Sequence, residues 1–233
     1  MTTTDITVRG RASASAPPDR GTVHAQVRAD APVSADAYDV VVAGVAAVRG
    51  SLEGLHDTDT GPVRTVHVDD VQLGAERPWR HDGERGPLVH HAVAGVRVEF
   101  DDAVALGRWL SEVAGVEGLQ VQGVEWTLLP EHRARLVRRL RAEAVQDARG
   151  AAEDYATAAG LGVPTYVAIA DAGMLGGGEP GHHLLRDRGP FVAMAAASGG
   201  GDAHLEMSPR DIEVVVAVDA RFTTGTPDGS ARA

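Results

Sequence analysis

The sequence predicts an α+β fold, with antiparallel sheet on which a long helix of the C-terminal half and two shorter helices pack. Three observations predict it. Apolar and polar residues alternate with the period of half-buried strands in several stretches, and apolar residues recur at helical spacing in three others. The strands also follow one another directly more often than they alternate with helices, so few βαβ units are available.

Ile6 and Val8 alternate with Thr7 and Arg9, and Val23, Ala25 and Val27 with His24, Gln26 and Arg28, giving two strands connected through residues 16–21. Ser34 stands ahead of Tyr38, Val41, Val42, Val45 and Val48, which predicts a capped amphipathic helix ending near Gly50 or Gly54. Val66, Val68, Val71 and Leu73 read as one strand, and the Gly-, Pro- and charge-rich stretch Gly74–Pro87 as an exposed loop closing a hairpin onto the strand of Val96, Val98 and Phe100. Asp101-Asp102 then opens a short helix through Leu106, Trp109, Leu110 and Val113, stopped by Gly115. The apolar set slips by one position between Val121 and Val124, which a bulge near Gly123 absorbs within one kinked strand that also carries Leu119, Trp126 and Leu128. Pro130 suits a first helical turn. Leu136, Leu140, Ala144, Ala148, Ala152 and Tyr155 form the stripe of the longest helix, about 45 Å long, with Gly150 as a place to bend and Gly160, Gly162 and Pro164 as its end. Thr165–Ala170 and Phe191–Ala196 follow as strands on either side of a loop at Gly173–Gly189. Ile212, Val214, Val216, Val218, Ala220 and Phe222 make the clearest alternation in the chain. Residues 5–223 form one domain on this reading, divisible into two interlocked α+β halves, about 5–115 and 116–223, with 224–233 a disordered tail.

Composition closes off whole classes of chemistry. With 233 residues, 43% of them hydrophobic, the chain builds its core without staples. Cysteine is absent, which excludes disulfides, thiolate metal sites and cysteine nucleophiles. All 22 basic residues are arginine and asparagine is missing, so Walker and Schiff-base lysines, Cys-His-Asn triads and N-glycosylation acceptors are excluded too. A formal net charge of -11 repels phosphate backbones and argues against nucleic acid as a partner. Met1 to Ile6 offers no basic start leading into an apolar run, so a cytoplasmic location is expected. The apolar run Val40–Val48 is interrupted by Gly44 and falls far short of the roughly 20 residues a spanning helix needs, so no membrane association is expected.

Three motifs in order carry a family resemblance. Ile6-Thr-Val-Arg-Gly10 is followed by Pro18-Asp19 and an alternating strand. The Ala-rich helix from Arg141 to Ala148 continues through Ala151, Ala152 and Ala156 to Gly160. Ser208-Pro-Arg-Asp-Ile212 leads into the last strand, ending at Phe222. Together they resemble the SIMPL-domain family over nearly the whole chain, matching its opening V-x-G and P-D motifs and its closing P-x-x-I strand. The resemblance implies a SIMPL-like α+β fold and no assigned activity. Bacterial relatives are mostly exported and some assemble into large homo-oligomers, whereas this sequence shows no signal. Beside the resemblance, Gly10 suits a bend or a close backbone approach, Pro18-Asp19 a rigid turn, and the alanines a tightly docked helix.

Candidate chemistry is sparse. Gly176-Gly-Gly178-Glu-Pro-Gly181 satisfies G-x-G-x-x-G but leads into His182-His183 with no helix to present a phosphate site, and reads as a flexible loop. His81, His90-His91, His182-His183 and His204 match no metal spacing and read as surface histidines. Arg133, Arg135, Arg138, Arg139 and Arg141 spread around their helix, with Glu143, Asp147, Glu153 and Asp154 following, and read as a solvated, partly self-paired face. Asp69-Asp70 and Asp101-Asp102 read as caps and turns rather than acid-base pairs, and none of the eight serines sits in a G-x-S-x-G setting. No residue is therefore assigned a catalytic, cofactor-binding or metal-ligating role, and no cofactor is expected. The expected function is non-catalytic, acting by self-association or protein binding through edge strands or the Ala-rich helix. The alternatives are a metal- or carboxylate-dependent hydrolase using loop His and Asp residues, and a small-ligand binding protein with its pocket beneath Gly74–Pro87.

Overall fold

A computed structural model describes residues 3–57, 60–79, 83–175 and 209–225. The described elements run β1 (Thr3–Ala16), β2 (Arg20–Ala31), α1 (Ser34–Leu52), β3 (Val63–Val68), β4 (Gln72–Glu76), β5 (Val89–Phe100), α2 (Ala103–Val113), β6 (Leu119–Thr127), α3 (Pro130–Ala158), β7 (Thr165–Asp171) and β8 (Ile212–Gly225). All named strand pairs are antiparallel, and the fold is α+β as expected. The chain divides into two compact units, one holding β1, α3, β7 and β8, the other β2 to β6 with α1 and α2. Among the described residues the chain passes between units at Ala16–Pro17, Leu128–Leu129 and Arg210–Asp211, none of them near residue 115, so β1 groups with the C-terminal elements instead of with the first half.

Among the described residues the first unit is a three-stranded sheet, β1-β8-β7, with α3 packed on β1 and β8. Alternation in β8 buries Ile212, Val214, Val216, Val218, Ala220 and Phe222, and the same side of α3 buries Leu136, Leu140, Ala144, Ala148, Ala152 and Ala156. Tyr155, expected on that stripe, is 63% exposed, and Ala156 takes the position four residues beyond Ala152. The alanines bring the helix onto the strand: a Cβ at Gly10 would lie 2.6 Å from the Ala148 amide nitrogen and 2.8 Å from its Cβ, and closer still to the Ala144 carbonyl oxygen. Of the two roles expected for Gly10, close approach is the one the structure shows. Helix α3 is continuous through Gly150. It ends in a Schellman motif, with Gly160 at φ 67°, its N–H donating to the Thr157 carbonyl and the Leu161 N–H to that of Ala156. Strand β8 runs on through Thr224 and Gly225, beyond the start expected for a disordered tail, and the remainder of the tail and the expected strand at Phe191–Ala196 lie outside the described residues.

The second unit orders its sheet β3-β5-β2-β6, with β4 also on β5. Val23, Ala25 and Val27 of β2 and Ala92 to Phe100 at alternate positions of β5 face a core closed by Val41, Val48 and Leu52 of α1 and Leu106, Trp109 and Val113 of α2. Trp109 packs 5.3 Å from Phe100 between ring centroids and donates its indole N–H to Ser51 Oγ at 2.9 Å. Three details depart from expectation. Ser34 is the first residue of α1 and makes no cap, since Val33 precedes the helix and no side chain caps it. Tyr38 and Val42 are exposed while Ala37 and Gly44 are buried, so the inward stripe of α1 is rotated toward its small residues. The stretch Val66–Leu73 is two strands, β3 and β4, which pair in succession along β5. The bulge in β6 is where the apolar slip put it: His24 pairs Gly123 and Ala25 pairs Val121, leaving Gln122 without an opposite.

Asp102 caps α2, accepting from the Val104 and Ala105 amides at 2.7 and 3.2 Å. Asp102→Ala is expected to cost about 1 kcal/mol of stability, read from the denaturation midpoint, whereas Ser34→Ala, which removes no capping bond, should change it by only a few tenths.

Candidate functional site

Of the carboxylates singled out in the sequence, Asp101, Asp102 and Asp69 each make structural contacts. Asp101 is held by Arg20 at 3.1 Å and by Arg64, and Arg20 also reaches Glu99 at 3.2 Å, which ties β2, β3 and the end of β5 together. Asp69 meets His67 Nε2 at 3.0 Å, and its backbone N–H donates to the Gly95 carbonyl. In the other unit, Asp219, which the sequence reading passed over, is 6% exposed and lies on the side of β8 away from α3. Arg9, its register partner on β1, donates to it twice, at 2.7 and 3.2 Å, and the Gly173 amide at 2.6 Å. The pKa of Arg9 is raised, chiefly by its hydrogen bond to Asp219 and secondly by that group's charge.

The described residues bring no group of three or more His, Asp or Glu together in a metal-holding arrangement. His90 and His91 are adjacent on β5, paired with Ala75 and Gly74, while His81, His182, His183, His204 and the Gly176–Gly181 loop lie outside the described residues. The arginine face of α3 is self-paired in part, Arg139 with Glu143 at 3.3 Å and Arg149 with Glu153 at 2.8 Å. The pKa of Arg149 is raised by that hydrogen bond first and by the same partner's charge second.

Two surfaces combine features that chemistry or a partner can use. The first is a concavity of about 230 Å³ on the side of the five-stranded sheet opposite α1 and α2, lined by His24, Gln26, Asp69, Gly95, Arg97 and Gln122. None of these belongs to Gly74–Pro87, beneath which a pocket was expected. The start of that stretch is β4, and its stem is tied by the Gly86 amide to the Pro78 carbonyl at 2.7 Å and by Arg85 stacked 4.4 Å over Trp79. The second surface is β7. Among the described residues it pairs with β8 alone, and Val163, Tyr166, Val167, Ile169 and Met174, all in or beside it, are exposed large apolar residues. The Val167 bulge limits the regular part of this edge to Ala168–Asp171.

The described residues form antiparallel sheets and three helices, an α+β architecture, and among them no helix is long and apolar enough to cross a membrane. Residues 6–222 match the family model SIMPL, described as protein of unknown function (DUF541), and the chain belongs to that family. No curated protein matches the chain.

Proposed function

We propose that the chain is a non-catalytic protein that acts by association with copies of itself, or with another protein, through the exposed edge of β7. The observation that carries this is the coincidence of a strand edge with no partner among the described residues and exposed apolar side chains, Val167 at 55% and Ile169 at 50%. Unpaired N–H and C=O groups beside apolar side chains form a template for strand addition, and protein edges that avoid it carry charge or proline. Thr165–Asp171 has one charged residue, at its end, and no proline. The Ala-rich stripe of α3 is not part of this surface, because Ala144, Ala148, Ala152 and Ala156 are already buried in their own unit. Sequence exclusions and the structural engagement of Asp101 and Asp102 support the non-catalytic part. A cytoplasmic location and the absence of a nucleic-acid partner remain part of the reading on the grounds of sequence.

Ile169→Lys puts a charge on the edge at a side chain already half exposed. It is expected to lower the solution mass, by light scattering, toward the 24.3 kDa of one chain while leaving the far-ultraviolet circular dichroism unchanged. An unchanged assembly in that variant would move the contact away from β7.

A further inference from the structure

Along β5, the residues facing away from the core include Gly95 and Arg97, two apart on the same side and therefore about 7 Å apart at Cα. Gly95 supplies no side chain, and the space above it is taken by Asp69, whose Oδ2 would collide with a Cβ at that position and whose Cγ would stand 3.2 Å from it. Asp69 is anchored there twice, by its amide to the Gly95 carbonyl at 2.9 Å and by Oδ1 to His67 at 3.0 Å, which leaves Oδ2 without a described partner. Beside it Arg97 stands in register between His24 on β2 and His67 on β3. Its guanidinium makes no hydrogen bond or ion pair with any described residue, although a carboxylate shares the same concavity. One wall of the hollow is fixed by an amide chain, Gln122 donating to Gln26 at 3.1 Å and Gln26 to Gln120 at 2.9 Å.

An anchored carboxylate and a guanidinium with no described hydrogen-bond partner line the same concavity without pairing with each other, and so present opposite charges to it. We infer that this concavity binds a small zwitterion, an α-amino acid, with its carboxylate on the Arg97 guanidinium and its ammonium on Asp69 Oδ2. The planar fork of arginine matches a carboxylate through two parallel hydrogen bonds, which no described group competes for. An α-amino acid carries its two charges on adjacent carbons, so one small molecule can meet both groups lining the concavity, and the glutamine amides and His24 line the space beside them. The site opens to water, which screens both contacts and sets the affinity on the order of 1 mM. This site lies in the second unit and does not depend on the reading of β7.

The test is saturation-transfer difference spectroscopy on the full chain with L-alanine as the probe, and acetate and ethylamine as single-charge controls. Transfer to L-alanine is expected, with little to either control. Arg97→Gln and Asp69→Asn should each weaken binding at least about tenfold, as expected for loss of a hydrogen bond between charged groups. The amide introduced by Asp69→Asn keeps an oxygen for His67, and both substituted side chains are solvent-accessible, so circular dichroism should match the wild type. Arg108→Gln on α2 serves as a charge control and should bind as the wild type does. Absence of transfer to L-alanine, equal transfer to acetate, or undiminished binding by Arg97→Gln would each overturn the assignment.

Discussion

Gly10→Ala is expected to destabilise the β1-α3-β7-β8 unit by about 3 kcal/mol or more, an effect usually seen only where large side chains are forced into a full core. The reason is what the new methyl would meet. The nearest atoms are the Ala144 carbonyl oxygen and the Ala148 amide, backbone of α3 that cannot rotate away as a flexible side chain would. The helix would have to lift off β1, giving up the contacts of Leu140, Ala144 and Ala148, which are fully buried. Gly150→Ala provides the contrast on the same helix. Nothing lies within 4 Å of a Cβ there, and replacing a mid-helix glycine by alanine should raise stability by about 0.5–1 kcal/mol. Denaturant titration of the two variants should therefore move the midpoint in opposite directions. A small or absent loss in Gly10→Ala would mean that α3 does not sit on β1 this closely.

Asp219→Ala is expected to cost about 2–3 kcal/mol, more than a surface ion pair contributes, because two kinds of donor lose the same acceptor. Asp219 accepts from Arg9 on β1 and from the Gly173 amide just past β7, so one buried carboxylate ties both neighbours of β8 to it. Arg9 is 38% exposed at its side chain and recovers water when its partner goes, so Arg9→Ala should lose less, about 1 kcal/mol. Asp219→Asn retains an acceptor for Gly173 while removing the charge, and should fall between the two. A double-mutant cycle on positions 9 and 219 measures the coupling, which additivity within a few tenths of a kcal/mol would contradict.

What the sequence revealed follows from how local each feature is. The alternation of β8, the α3 helix and the bulge of β6 were legible because each leaves a periodic mark within one stretch, and the parity slip between Val121 and Val124 reports the unpaired Gln122 directly. The break between β3 and β4 was legible only in principle. Val66 and Val68 share one parity and Val71 and Leu73 the other, with Asp69-Asp70 between them, but both strands lie in line on β5 and so keep a nearly continuous apolar pattern. The pairing of β1 with β8, about 200 residues away, leaves no local trace, and that is why the unit boundaries were not found. Asp219 was hidden inside an alternating strand as one of its outward residues, with nothing in its neighbours to mark Arg9 as its partner. The hollow at Arg97 depends on the register of β2, β3 and β5 and on a missing side chain at Gly95, and adjacency of that kind is set by tertiary pairing alone.

The self-association reading rests on the edge of β7, and the most direct measurement is the molar mass of the wild-type chain by light scattering during size exclusion, over a roughly hundredfold dilution and at low and high salt. An apolar, strand-to-strand contact predicts a mass that is a multiple of 24.3 kDa at the higher concentrations and insensitive to salt. A mass of 24.3 kDa at every concentration and salt would contradict it.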